Sequence, residues 1–391
     1  MNRLPLENIK VIEFSHMVMG PSAGMILADL GAEVIKVEPI GGDKTRKLKG
    51  SGAGYFAMYN RNKKSVCIDM KSAQGHEIIS DLVKDADVVI ENFRPGALDD
   101  LGYGYESLSE INDRLIYMSA RGFLKGPYQN RTALDEVAQM MGGLAYMTGP
   151  QNRPLRAGAS VVDVMGGMFG VIGILSGLLQ RNTSDKGERI TSSLFESTVF
   201  LMGQHMAQHV VTGQPAAPMP ERISAWAIYD VFEIKNKDKL FVAVVSDSQW
   251  VKFCLEFGFD DFAKDANMNT NVQRVVQRDL IVEKVAEHFK QIELSELTTR
   301  LKSIGLPYAP INRPQDLPHD PHLLESGGLL DIEVGEGKQA QLPALPLEFS
   351  EERLGVRRNI PEIGEHTKDV LQSLGYSDQK VGELLIDKIA G

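Results

Sequence analysis

Hydrophobic and polar positions along this chain fall into two textures. Over the first 120 residues, short apolar runs bounded by turns alternate with stretches of helical spacing. Residues 9–14 read as a buried strand, and SHMVMGPSAG at 15–24 leads into an apolar helix at 25–30. Gly31 ends that helix, and residues 32–38 read as a second strand. This unit has the spacing of a parallel strand–helix–strand crossover. Further strands are predicted at 64–69, 86–90 and 115–119, with a helix at 72–84 and a sharp turn into helical pattern at 91–102. The alternation predicts a doubly wound α/β domain, whose ligands sit at the carboxyl ends of the strands. His16, Lys71, Asn92 and Arg94 each follow a strand end.

Residues 127–220 read mostly as helix, and GQPAAPMPER at 213–222 reads as a Pro-rich linker. The texture then changes. Residues 227–245 alternate like an antiparallel hairpin with its turn at 235–239, and helices follow at 273–289 and 294–304. The expected organisation is a large domain over 1–215, completed by 330–391, and a small α+β domain over 226–325. Linkers are expected at about 213–225 and 312–330, and the tail reads as a loop and then a helix.

Composition narrows the function. The chain has 391 residues, 43% hydrophobic and 24% charged, with a net charge of −10. That balance argues against nucleic acid or an anionic membrane as partner, so an anionic ligand must be met by a local basic pocket. Cys67 and Cys254 are the two cysteines, which indicates neither a disulfide framework nor a zinc site. The first strand–helix loop lacks GxGxxG, the nicotinamide fingerprint. No signal-peptide pattern opens the sequence and no apolar run reads as long enough to span a bilayer, so a cytoplasmic setting is expected.

The chemistry centres on residues 156–197. Asp163 stands ahead of Gly166-Gly167 and an apolar run at 168–179, with no Lys or Arg between Arg156 and Arg181. Burying such a carboxylate is costly unless it is hydrogen-bonded or lies at a helix N-terminus. It reads either as the N-cap of the following helix or as a functional group. His205 and His209 are spaced i, i+4, but no third ligand motif accompanies them, so no metal site is expected.

The chain resembles the class III CoA-transferases, the family of formyl-CoA:oxalate CoA-transferase, carnitine CoA-transferase and alpha-methylacyl-CoA racemase. The resemblance is carried by VIEFSHMVMGPSAG, LADLGAEVIKVEPIGGDKTR, YNRNKKSVCIDMKSAQG, ADVVIENFRPGALDDLGYGYESL, NDRLIYMSARGFLKGPY, GASVVDVMGG, GILSGLLQR and IGEHTKDVLQSLGY, in order and nearly end to end. It implies a Rossmann-like large domain with a parallel sheet, a smaller α+β domain, and two chains interlocked as a homodimer. It implies that Asp163 is the nucleophile, although the same residue can also cap a helix. It places CoA near His16, Val18, Met19, Ile68, Asp69, Met70, Lys71, Asn92, Phe93 and Arg94. Arg131 is a further candidate cation for the phosphates, with Lys44 and Arg46 behind. Tyr55 and Asp135 match stations that flank the acyl group.

The implied reaction moves CoA from an acyl-CoA donor, such as succinyl-CoA, to a small carboxylate. Coenzyme A enters as substrate, and neither a permanently bound cofactor nor a metal is expected. Three departures refine this reading. The region where oxalate enzymes carry a glycine run reads ERISAWAIYDVF, Asp100 stands where the family often has Arg, and Leu134 stands where racemases have His. The racemase and a non-catalytic acyl-CoA-binding protein are the alternatives; Leu134 argues against the first and Asp163 against the second.

Overall fold

The computed structural model describes residues 4–222, 224–335 and 337–391. Ile223, within the stretch read against the glycine run, lies outside the described residues. The chain forms two compact units, Met1–Pro220 with Asp320–Gly391, and Glu221–His319.

The first unit is built on β1 (Lys10–Phe14), β2 (Glu33–Glu38), β3 (Lys64–Cys67), β4 (Val88–Glu91), β5 (Ile116–Arg121) and β6 (Glu188–Ser193). They form one parallel sheet in the order β3-β2-β1-β4-β5-β6. The order reverses between β1 and β4, which opens a crevice at their carboxyl ends. The intervening helices are α1 (Met19–Asp29), α2 (Tyr55–Tyr59), α3 (Ala73–Lys84), α4 (Tyr105–Ile111), α5 (Asp135–Met141), α6 (Leu144–Thr148), α7 (Val161–Ser184) and α8 (Leu194–Thr212). The strands read as apolar runs because both faces of a parallel sheet are covered. One face packs Ile12, Val37 and Val89 against Ile79 and Leu82 of α3. The other packs Val11, Val34, Ile90 and Met118 against Leu27 of α1 and Val171 and Ile174 of α7.

The second unit has a three-stranded antiparallel sheet of β7 (Ile228–Glu233), β8 (Lys239–Val244) and β9 (Tyr308–Pro310). Helices α9 (Asp247–Phe257), α10 (Asp260–Lys264), α11 (Asn271–Val276), α12 (Arg278–Phe289) and α13 (Leu294–Ser303) accompany it around a core that includes Trp250, Phe253, Phe257 and Phe289. After α14 (Pro321–Glu325) and a hairpin of β10 (Leu329–Glu333) and β11 (Gln339–Pro343), α15 (Thr367–Ser373) and α16 (Asp378–Ile386) complete the first unit. There Leu371 and Val381 join the core beside α3. Thr367 Oγ1 accepts the Cys67 N–H at 3.1 Å, which ties the tail to the end of β3.

Several elements differ from the sequence expectation. Helix α1 starts at Met19 rather than residue 25, because Pro21 falls in its first turn, where a missing N–H costs nothing. The expected helix at 273–289 is two helices, joined at Gln277. The tail also carries two helices, separated by Gly375 at φ 92°. β6 lies within the region read as helical. Its outer residues are exposed, so it lacks the apolar run of the central strands. Helix α7 spans 24 residues and is long and apolar enough to cross a membrane by length and composition, contrary to the expectation that no such run exists. In this structure Gly166, Gly170, Val171, Ile174 and Leu178 of α7 are buried within the unit.

Candidate active site

A buried ion cluster joins β1, β2 and the residue before β3. Glu13, Lys36 and Lys63 are all 0% exposed. Lys63 Nζ lies 2.8 Å from Glu13 Oε2 and donates to the Pro21 carbonyl at 3.0 Å. Lys36 Nζ lies 3.2 Å from Asp43 Oδ2 and donates to the Ser15 carbonyl at 2.5 Å. Asn92, just past β4, accepts the His16 N–H at 2.9 Å and donates to the His16 carbonyl at 2.7 Å. Thr45 Oγ1 accepts the Met17 N–H at 3.0 Å, and Met17 is held at φ 63°. The 15–18 loop is thus fixed from three sides. It delivers Val18 and Met19 to the start of α1, where the first N–H groups have no helical carbonyl to bond. Burial pulls the His16 imidazole below its usual value; Asp43 opposes this and Lys36 reinforces it. The ring stands 5.3 Å from that of Phe93.

Asp163 faces the same space from α7. The helix begins earlier than the apolar run at 168–179, so Ser160 occupies the N-cap and Asp163 lies inside the first turn. The N-cap expectation for Asp163 is therefore corrected. Ser160 makes no side-chain capping bond. Asp135 of α5 supplies it instead: its Oδ2 accepts the N–H of Val162 at 3.0 Å and of Asp163 at 3.1 Å. Burial pushes the Asp163 carboxyl up to about 7, with Asp135 and Glu136 adding to the rise and Arg156 opposing it. Tyr59, one turn beyond Tyr55 on α2, is also raised, by burial first and then by Asp163.

A cavity of about 740 Å³ brings these groups together. Of the residues singled out from sequence, its walls include His16, Val18, Met19, Tyr55, Asn92, Phe93, Arg94, Arg131, Asp135 and Asp163. Ile68, Asp69, Met70 and Lys71 do not line it. Ile68 is fully buried in the core, the Asp69 N–H donates to the Ile389 carbonyl at 2.8 Å, and the Met70 carbonyl accepts from the Tyr103 hydroxyl at 2.8 Å. Leu134 lies on the cavity wall and is 60% exposed. The sequence reading missed Lys49, Arg121 and Glu136, which also line the cavity. Arg121 ends β5, so the strand-end rule that selected Asn92 would have found it. It is ion-paired with Glu91, whereas Lys49, Arg94 and Arg131 pair with no described carboxylate and remain open to an anion.

Residues 6–367 match the family described as CoA-transferase family III. The chain belongs to that family. An acyl-CoA transferase of Fusarium pseudograminearum is 33% identical over 402 residues, covering 98% of this chain and 88% of its own. The human succinyl-CoA:glutarate CoA-transferase is 32% identical over 392 residues, covering 98% of this chain and 89% of its own. The crystal structure of a CaiB/BaiF family protein from Brucella suis matches with a TM-score of 0.84 and 34% identity, over 95% of this chain and 99% of that one. In this family III CoA-transferase the cavity combines a carboxylate with cations and free helix-start amides. Those groups suit a thioester on an anionic carrier.

Proposed function

We propose that the protein transfers CoA from an acyl-CoA donor to a carboxylate acceptor, with Asp163 as the nucleophile. The observation that carries this is the carboxylate of Asp163 on the wall of a cavity that Val18, Met19 and the cations Lys49, Arg94 and Arg131 also line. An ionised Asp163 oxygen attacks the thioester carbonyl, the C–S bond breaks, and CoA leaves as thiolate, giving a mixed aspartyl anhydride. The thiolate then attacks the aspartyl carbonyl of the anhydride, releasing the donor carboxylate and leaving an aspartyl-CoA thioester. The acceptor carboxylate attacks that thioester and re-forms an anhydride and thiolate. Attack of the thiolate on the acceptor carbonyl yields the new acyl-CoA and frees Asp163. Each step exchanges one activated acyl bond for another, so the cycle runs without ATP or metal.

The Val18 and Met19 N–H groups stabilise the tetrahedral oxyanion, and Arg94, Arg131 and Lys49 meet the phosphates of CoA. Coenzyme A is a substrate rather than a resident cofactor. A succinyl-CoA donor and a small dicarboxylate acceptor fit the human relative named above. The working form is an interlocked homodimer, supported by the apolar faces that α7 and α8 leave uncovered. A cytoplasmic location fits Cys67 and Cys254, both buried free thiols.

The test is trapping. Incubation with succinyl-CoA and hydroxylamine should place a hydroxamate on Asp163, located by peptide mapping, and Asp163→Asn should give neither adduct nor transfer. A folded Asp163→Asn protein that transfers CoA at the parental rate would overturn the mechanism.

A further inference from the structure

Asp135 was expected beside the acyl group, but its oxygens are already engaged. It is 4% exposed at the start of α5. Oδ2 holds the amides of Val162 and Asp163 at 3.0 and 3.1 Å. Oδ1 accepts from Gln139 Nε2 at 2.5 Å and lies 3.8 Å from the Arg156 guanidinium. Gln139 is itself fully buried, and its Oε1 accepts the Ala157 N–H at 2.8 Å. Asp135 and Gln139 together bind both the loop that enters α7 and the first turn of α7. Because Ser160 supplies no cap, the amide of the nucleophile is held by a carboxylate from another helix.

We propose that Asp135 is a positioning residue of the transfer reaction: bound to the Asp163 amide, it fixes where the nucleophile leaves its helix and what charge the nucleophile faces. The proposal rests on the transferase reading above. The two effects act in different directions. The hydrogen bonds orient the Asp163 backbone. The negative charge, together with burial and Glu136, holds the proton on Asp163 to higher pH, while Arg156 works the other way. The phenols of Tyr55 and Tyr59 on α2 lie in the same neighbourhood, and His16, Lys49, Arg94, Arg121 and Arg131 line the same cavity. A carboxylate that ionises only near neutrality is a poorer leaving group to regenerate but a stronger nucleophile once charged, which suits reversible acyl exchange.

The two effects separate in two variants. Asp135→Asn retains an oxygen acceptor for the amides and removes the charge. Asp135→Ala removes both. Steady-state rates across pH 5–9 should show the acid limb of the parent moved to lower pH in Asp135→Asn, with kcat on the alkaline plateau within about tenfold. Asp135→Ala should lose about 100-fold in kcat, the scale of a nucleophile misplaced by about 1 Å, with KM for the acyl-CoA little changed. An unmoved acid limb in Asp135→Asn, or Asp135→Ala turning over at the parental rate, would overturn the proposal. So would a loss confined to the KM of the acceptor, which would make Asp135 a substrate contact. If Asp135→Ala does not fold, the Asp135→Asn profile decides alone. Hydroxylamine trapping on the parent distinguishes the two levels: no adduct on Asp163 defeats the transferase reading, whereas equally fast adduct formation in parent and Asp135→Ala defeats only the positioning role.

Discussion

Gly167 and Ser22 meet where α7 crosses α1: a Cβ on Gly167 would lie 2.1 Å from Ser22 Oγ and 2.8 Å from the Met19 carbonyl oxygen. Gly167 is one helical turn beyond Asp163, on the same side of α7. Ser22 Oγ donates to the Met19 carbonyl at 2.8 Å. The distance between nucleophile and helix-start amides is therefore set by a contact that admits no side chain.

Gly167→Ala should push α7 away from α1. We expect a loss of about 1–3 kcal/mol in urea unfolding and a fall in transfer rate larger than the loss of stability explains. Gly382 on α16 has nothing within 4 Å of a Cβ, so Gly382→Ala should instead stabilise by about 0.5–1 kcal/mol. Equal behaviour of the two variants would show that the crossing is not tight.

Lys63→Met should cost about 3–5 kcal/mol, because it leaves Glu13 buried with Lys36 alone at 3.4 Å. Adding Glu13→Leu should restore part of the loss, since the orphaned charge is then gone. Denaturant midpoints of the single and double variants measure this, and an additive double variant would refute the coupling.

Asp163→Asn should raise stability at neutral and higher pH. Burial, with Asp135 and Glu136, moves the Asp163 carboxyl from 3.8 to about 7 in the folded chain. Between those values the folded state holds a proton that the unfolded state has lost, so stability falls as pH rises through this window. The asparagine variant should gain up to about 4 kcal/mol above pH 7, and the gain should vanish below about pH 4. Thermal melts at pH 4 and 8 give the comparison. A gain independent of pH would contradict this origin.

Light scattering should give a particle of twice the 43.1 kDa chain mass. Leu179 of α7 and Phe200, Val210 and Val211 of α8 are 71–84% exposed, an apolar surface that a second copy would cover. If the chains interlock, tagged and untagged dimers should not exchange subunits without unfolding. A stable, active 43.1 kDa species would remove the dimer.

Incubation with a 2-methylacyl-CoA in deuterated water should leave the α-carbon unlabelled. Leu134 offers no proton at the position where racemases carry an imidazole. Enzyme-dependent deuterium incorporation would favour the isomerase instead.

The central sheet was legible in the sequence, because a strand covered on both faces must be apolar throughout and can be recognised without knowing its neighbours. Its strand ends then marked His16, Asn92 and Arg94, which line the cavity, and Lys71, which does not. β6 escaped because an edge strand with Glu188, Arg189 and Thr191 exposed keeps no such signature. The start of α7 escaped too. Its cap comes from Asp135, 28 residues earlier, and no local capping pattern encodes a bond of that separation. Lys36 and Lys63 look like surface charges in the sequence; their role appears only when the pairing of β2 with its neighbours and the loop after β2 bring Glu13 and Asp43 to them. The sequence determined which residues could carry the chemistry, since residue type and strand position are local properties. The tertiary structure decided what Asp163 faces, because its protonation depends on burial and on carboxylates delivered by another helix.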